Sequence, residues 1–269
     1  MSHHLQRDDA DFSDDVWEQI DNTVVGAAKS QMFARQILHT DGPHGLGLKA
    51  LPSADSEIEE EATDSVTTSA SCVVPVAEIS TEFTLSARDI SAFEQQGAPL
   101  DLRAVAESAI ACARKEDHLI FHGSDALGVQ GLLTADGTQT VELGNWDEVG
   151  TAAQDVINGV TELDNAGYHG PYVLALAPGR YNQLFRRYRQ GNQTELAHIQ
   201  GIVADGVVKA PALQTGGVLL ASGKPYASIV LGQDLVAGFI GPAGKDMEFF
   251  LQETLALRLQ APGAVCILR

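Results

Sequence analysis

Long apolar runs, paired cysteines and basic charge are all scarce in this chain, and each shortage closes off a class of function. The longest apolar runs, "YVLALAP" and "GGVLLASG", are far too short to cross a bilayer, and the opening "MSHHLQRDDADFSDD" lacks the apolar stretch of a signal peptide. A soluble protein with no membrane partner is expected. The three cysteines, Cys72, Cys112 and Cys266, lie far apart and show no C-x-x-C spacing, which excludes a disulfide framework and a cysteine zinc site and points to a reducing cytoplasm. Only 17 Lys and Arg face 36 Asp and Glu, a formal charge of −19, so a general phosphate-backbone binder is excluded and no nucleic-acid partner is expected.

What remains is a chain of 269 residues, 44% hydrophobic, able to bury a sizeable core. Val16, Trp17, Ile20, Val24, Ala27 and Ala28 recur at helical spacing and predict an amphipathic helix over 13–32. Ser13 stands as its cap, and Phe12 and Trp17 have the offset of a hydrophobic staple. The turn-rich "TDGPHGLGLKALP" ends that helix, and residues 47–80 then run as a long, polar, extended arm containing "ADSEIEEEATDS". An excursion of that length is uncommon inside one domain, so it is expected to order against something else. A second long helix follows from Asp101, closed by Gly123, and a third is predicted over 146–165 with Asn145 and Glu148 as a capping box. "GPYVLALAP" predicts a buried strand, "GRYNQLFRRYRQ" a short helix and "GNQTELAH" a polar loop. The strands "GVLLAS", "ASIVLGQD", "LVAGFI", "MEFFLQETLALRLQ" and "AVCILR" close the chain.

Reactive-looking residues concentrate in "EDHLIFHGSDALGVQGLL", 116–133. His118 and His122, four apart, have the spacing of two zinc ligands with Asp117 as a third, the basis of an alternative reading as a metal-dependent hydrolase. Leu119 stands where the metalloprotease motif needs glutamate, however, and two histidines near a helix C-terminus already fit the helix dipole. Glu116 and Asp117 diverge by about 100° on one helix, so they suit pairing with a basic neighbour better than joint catalysis. Gly128 and Gly131 fit a tight turn rather than a phosphate cradle, and no G-x-S-x-G is present. No catalytic residue, metal or cofactor is expected from these patterns.

Five separated segments resemble one family, the encapsulin nanocompartment shell proteins: "WEQID" at 17–21, "ARQILHTDGPHG" at 34–45, "EDHLIFHG" with "GVQGLL" at 116–133, "GPYVL" at 170–174 and "LGQDL" at 231–235. The resemblance implies an α+β fold of the tailed-phage major-capsid type. It assigns 1–46 to the N-terminal helix and the start of a peripheral domain, and 47–80 to an extended arm reaching a neighbouring subunit. Residues 81–134 would be peripheral domain with its long helix, 135–221 an axial domain and 222–269 the peripheral domain's C-terminal strands. It further implies a homo-oligomeric icosahedral shell, sixty subunits at this chain length, enclosing a ferritin-like iron oxidase or haem peroxidase recruited by a terminal targeting peptide. A prophage major capsid protein shares the fold and is the other alternative.

By the same resemblance the cargo peptide lies in a groove between the N-terminal helix and the peripheral domain, formed by Arg35, His39, Gly232, Asp234 and Leu235. His39 stands where the family carries aspartate, which exchanges an acid for a group titrating near neutrality. Gly191, Asn192, Gln193 and Thr194 would line the opening at the five-fold axis, neutral and wettable. Arg88 occupies the place where some relatives hold a flavin against tryptophan, so no flavin is expected.

Overall fold

The computed structural model describes residues 3–63, 66–189 and 191–269. After short 3-10 turns at His3–Leu5 and Arg7–Asp9, the first apolar stripe folds as α1 (Asp14–Lys29) and buries Val16, Trp17, Ile20, Val24 and Ala28. Phe12 and Trp17 form the staple, their ring centroids 6.4 Å apart, and Phe83, Phe239 and Phe249 extend it into an aromatic cluster. Full burial of side chains such as Ile20 contributes about 1.5–3 kcal/mol each. Ser13 has the extended backbone of a cap, but its hydroxyl caps nothing; its amide donates to Glu94 Oε1 at 2.7 Å. A tertiary contact has taken the place of the local one.

A 3-10 turn at Ala34–Gln36 leads to β1 (His39–Asp41), β2 (Ala50–Thr63), β3 (Val66–Pro75), β4 (Ala77–Ser86), α2 (Ala87–Gln96) and α3 (Arg103–His122). Then come β5 (Gln139–Val141), α4 (Thr151–Asn165), β6 (Tyr172–Leu176), α5 (Pro178–Gln183), α6 (Glu195–Ile202), β7 (Val207–Lys209) and β8 (Gly217–Ala221). The chain closes with β9 (Ala227–Ala243), β10 (Asp246–Leu259) and β11 (Val265–Leu268). The strands form a four-stranded sheet, β1-β9-β10-β4, a five-stranded sheet, β5-β11-β8-β6-β7, and the two-stranded ribbon β2-β3.

Each sheet follows from its pattern. In β4 burial alternates from Ala77 to Leu85, so one face meets the core under α1 and α3 and the other meets solvent. In β6 and β8 all ten residues are buried because the five-stranded sheet separates two cores. Val173, Ala175, Val218 and Leu220 face the larger core; Leu174, Leu176 and Leu219 face a second one closed by α4 and α6. The last strand, grouped by sequence with β9 and β10, instead pairs β8 and β5.

Four local expectations change. The arm, expected to order against something else, pairs with itself: β2 and β3 run antiparallel from Ala50↔Pro75 outward, with their base on Val230 and Ala256. The segments "ASIVLGQD" and "LVAGFI" are one strand, β9, interrupted by bulges rather than by a turn. The helix predicted from 146 starts at Thr151, and Asn145 caps no helix; its Oδ1 accepts from the Asp147 amide. Trp146 is buried and donates to Asp155 Oδ2 at 2.7 Å, an anchor that holds 144–150 out of the helix. Lastly, the polar loop is shorter than expected, because Thr194 accepts from the Ala197 amide and caps α6.

Candidate functional site

Helix α3 ends on Gly123, whose φ of +69° and close approach to the backbone of Val129 and Gly131 leave no room for a side chain. About two turns earlier, Glu116 and Asp117 are 0% and 2% exposed. Their divergence on the helix sends them to different partners. Asp117 accepts from the Phe33 amide at 3.0 Å and the Ala34 amide at 2.9 Å, pinning the 3-10 turn that carries Arg35. Glu116 receives Arg35 in a two-pronged contact, Nε to Oε1 at 2.8 Å and Nη2 to Oε2 at 2.9 Å.

Arg35 gathers two more carboxylates. Nη1 donates to Asp234 Oδ1 at 2.9 Å, and Nη2 also donates to Glu253. Its burial disfavours the charge, yet the hydrogen bonds and charge of Glu116, with Glu253 and Asp234, raise its pKa further above the usual arginine range. Burial pushes the Asp117 carboxyl up to about 7, against the two amides and Arg35 that favour its ionised form. Burial, then the charge of Glu116, raises Glu253 well above the usual carboxylate range.

Asp234 reaches Arg35 because β9 is bulged twice there. Val236 opposes Gln252, Gln233 opposes Thr254 and Leu231 opposes Leu255, so β9 holds two more residues than β10 over this span. Gly232 fits the bulge because a Cβ would press on the Thr254 side chain and on Gly45 O; the Gly45 amide donates to Gly232 O at 2.6 Å. Beyond the bulge, Leu235 and Val236 form one wall of a cleft of ≈ 370 Å³, with Asp21 and Val25 of α1 on the other. The N-terminal turns close its end. Arg7 donates to Ala237 O and, in a forked contact, to Asp21, with its guanidinium 4.4 Å from the Trp17 ring centre.

Arg35, Asp234 and Leu235 are therefore brought together, with Gly232 supporting them from below. His39 is not: it opposes Ser228 and lines a separate depression with Pro171, Ser222 and Lys224. Sequence reasoning missed Arg7 and Glu253. A lone arginine beside Asp8 and Asp9, and a glutamate inside "FFLQETLAL", were the available signals.

His118 and His122 do share a face, ring centroids 4.7 Å apart, but His122 Nε2 lies 2.8 Å from Ala212 O while Asp117 points to the amides of 33 and 34. Among the described residues no group of three His, Cys, Asp or Glu is placed to hold a metal ion. Gly191, Asn192 and Gln193 are exposed at the tip of a small loop closed by the Arg187↔Thr194 bridge. Arg187 donates to Asn192 Oδ1 at 2.6 Å, and the Tyr188 hydroxyl lies 2.8 Å from His198 Nδ1, which together hold the loop's base. Among the described residues no helix is long and apolar enough to cross a membrane.

Comparison with known proteins places this geometry. Residues 1–256 match the family described as encapsulating protein for peroxidase. The type 1 encapsulin shell protein EncA of Myxococcus xanthus is 32% identical over 265 residues, 95% of this chain and 92% of that one. Among solved structures, a virus-like particle from Pyrococcus furiosus superposes with a TM-score of 0.76 at 18% identity, over 94% of this chain and 99% of that chain. The capsid of a Myoviridae phage follows with a TM-score of 0.64 at 13% identity, over 86% and 88%. At those identities the two structures bear on the fold alone, which is that of tailed-phage capsid proteins.

Proposed function

The chain belongs to the encapsulin shell-protein family, and from that membership we propose that sixty copies close into an icosahedral nanocompartment in the cytoplasm, loaded through the cleft between α1 and the β9 bulge. The observation that carries the loading step is the cleft itself. A peptide needs apolar anchoring beside a few charges, and Val25, Leu235 and Val236 beside Arg7 and Asp21 supply both. The cargo is a peroxidase or a ferritin-like iron oxidase bearing a terminal targeting peptide; the family's description supports the first.

In this reading Arg35 and Asp234 hold the wall rather than the peptide, since neither lines the cleft while both are tied to the core carboxylates and to each other. His39, in its own depression, is a bordering residue. The ribbon β2-β3, within 47–80, is the arm that reaches a neighbouring copy. The five-stranded sheet with α4 to α6, within 135–221, forms the axial domain, and loop 191–194 lines its opening. Segments 1–46, 81–134 and the strands β9 and β10 make the peripheral domain. The shell contributes enclosure and the cargo contributes catalysis, and neither nucleic acid nor a membrane is a partner.

The test is to produce the chain with its native cargo partner and compare Leu235→Asp with wild type. Shells of unchanged size with at least a tenfold lower cargo content, by native mass spectrometry, are expected. Equal loading would move the groove elsewhere, and particles filled with nucleic acid would favour a phage-like role.

A further inference from the structure

Glu253 sits in the middle of β10 at 0% exposure, where three carboxylates, its own and those of Glu116 and Asp234, surround the single guanidinium of Arg35. One of its oxygens accepts from Arg35. The other, Oε2, is buried and has no hydrogen-bond partner among the described residues. A bare carboxylate oxygen enclosed without a donor is costly, and a second buried carboxylate sharing one guanidinium, with Asp234 adding charge from the exposed rim, compounds that cost. A proton on Glu253 removes both problems. The neutral carboxyl still accepts from Arg35, and its hydroxyl becomes a donor for the facing Glu116 carboxylate.

The charged and titratable groups that face Glu253 come from three elements. Arg35 comes from the 3-10 turn, Glu116 and the Cys112 thiol from α3, and Asp234 from β9. Directly opposite Glu253, β9 carries its double bulge, held by the Arg35 contact to Asp234 and by the Gln233 amide on Thr254 Oγ1 at 2.8 Å.

We propose that Glu253 keeps its proton at neutral pH as a donor to Glu116, and that this proton locks the 232–235 bulge, the β9 wall of the cleft, to the core. When rising pH releases the proton to solvent, three carboxylates compete for Arg35. Asp234, with a side chain 58% exposed, is the one free to leave, and the wall that carries Leu235 loosens with it. The latch is a property of the fold; its bearing on loading rests on reading the cleft as the cargo groove.

Hydrogen exchange read by mass spectrometry on assembled shells tests the latch from about pH 6 to about pH 9, corrected for intrinsic exchange, on a peptide covering 230–236. One proton lost per opening makes wild-type protection fall by up to about tenfold per pH unit. Glu253→Gln, whose amide donates to Glu116 and accepts from Arg35, is expected to stay flat. Identical slopes in the two proteins, or a flat wild type, would overturn the proposal. Should Glu253→Gln fail to assemble, infrared spectroscopy of wild type decides. A protonated-carboxyl band surviving at about pH 8, above the range of Asp117, supports the latch, and its absence at that pH ends it. Neither readout uses a ligand, so the latch and the groove fail independently.

Discussion

The five-stranded sheet and the two-stranded ribbon are the same backbone pattern put to opposite uses. In the sheet, β6 and β8 bury every residue between two cores that this chain supplies itself. In the ribbon the base has such support, Leu51 against Val230 and Ala256, while Val73 is 58% exposed. A lone hairpin is marginal in water. On the proposed function, this difference would separate what one copy completes from what a second copy must complete, with folding in one region and assembly in the other.

The largest effect that could break this comparison is removal of the ribbon. Replacing 53–70 with a short Gly-Ser link is expected to abolish shell formation, by electron microscopy, and to leave a folded subunit by circular dichroism. Intact shells would put assembly elsewhere. Within the body, Arg35→Ala strands the buried Glu116 carboxylate without its cation and is expected to cost about 3–5 kcal/mol in denaturant unfolding. Leu219→Ala, a fully buried contact in the second core, is expected to cost about 2–5 kcal/mol. Val73→Ala, its counterpart on the ribbon, should change unfolding by less than about 0.5 kcal/mol yet lower the yield of shells. Equal costs for Leu219 and Val73 would erase the distinction.

A smaller, pH-dependent effect sharpens where the body's stability lies. The folded-state pKa of Asp117 is raised to about 7 from 3.8, so between those values the folded state holds a proton that the unfolded chain has released. Its contribution therefore falls as pH rises from about 4 to about 7. Unfolding midpoints of Asp117→Asn across that window should show a shallower decline than wild type; an unchanged slope would mean the two amide bonds keep Asp117 ionised.

Much of this was legible beforehand, and the gaps have particular causes. The stripe from Val16 to Ala28 announces α1 because helical spacing alone decides which face is apolar. The pairing of Glu116 and Asp117 with other elements was legible as a kind, since two carboxylates in an apolar stripe require partners, but their partners lie roughly eighty residues away. Ser13 and Asn145 misled because capping sequences describe local alternatives: the Ser13 amide finds the distant Glu94, and Asp155 holds Trp146, the neighbour of Asn145, out of the helix. The cleft was legible in Leu235 and not in Arg7, whose role depends on Asp21 and Ala237 lying together.

By itself the sequence determined the principal helical stripes, the buried strands, which faces are apolar and which family the segments resemble, because period and composition act locally. The tertiary structure alone decided that Glu253 closes a ring around Arg35, that β9 bulges to bring Asp234 to it, and that His39 stands apart. Those outcomes depend on burial, which changes the cost of a charge by several kcal/mol and is created only when distant segments meet.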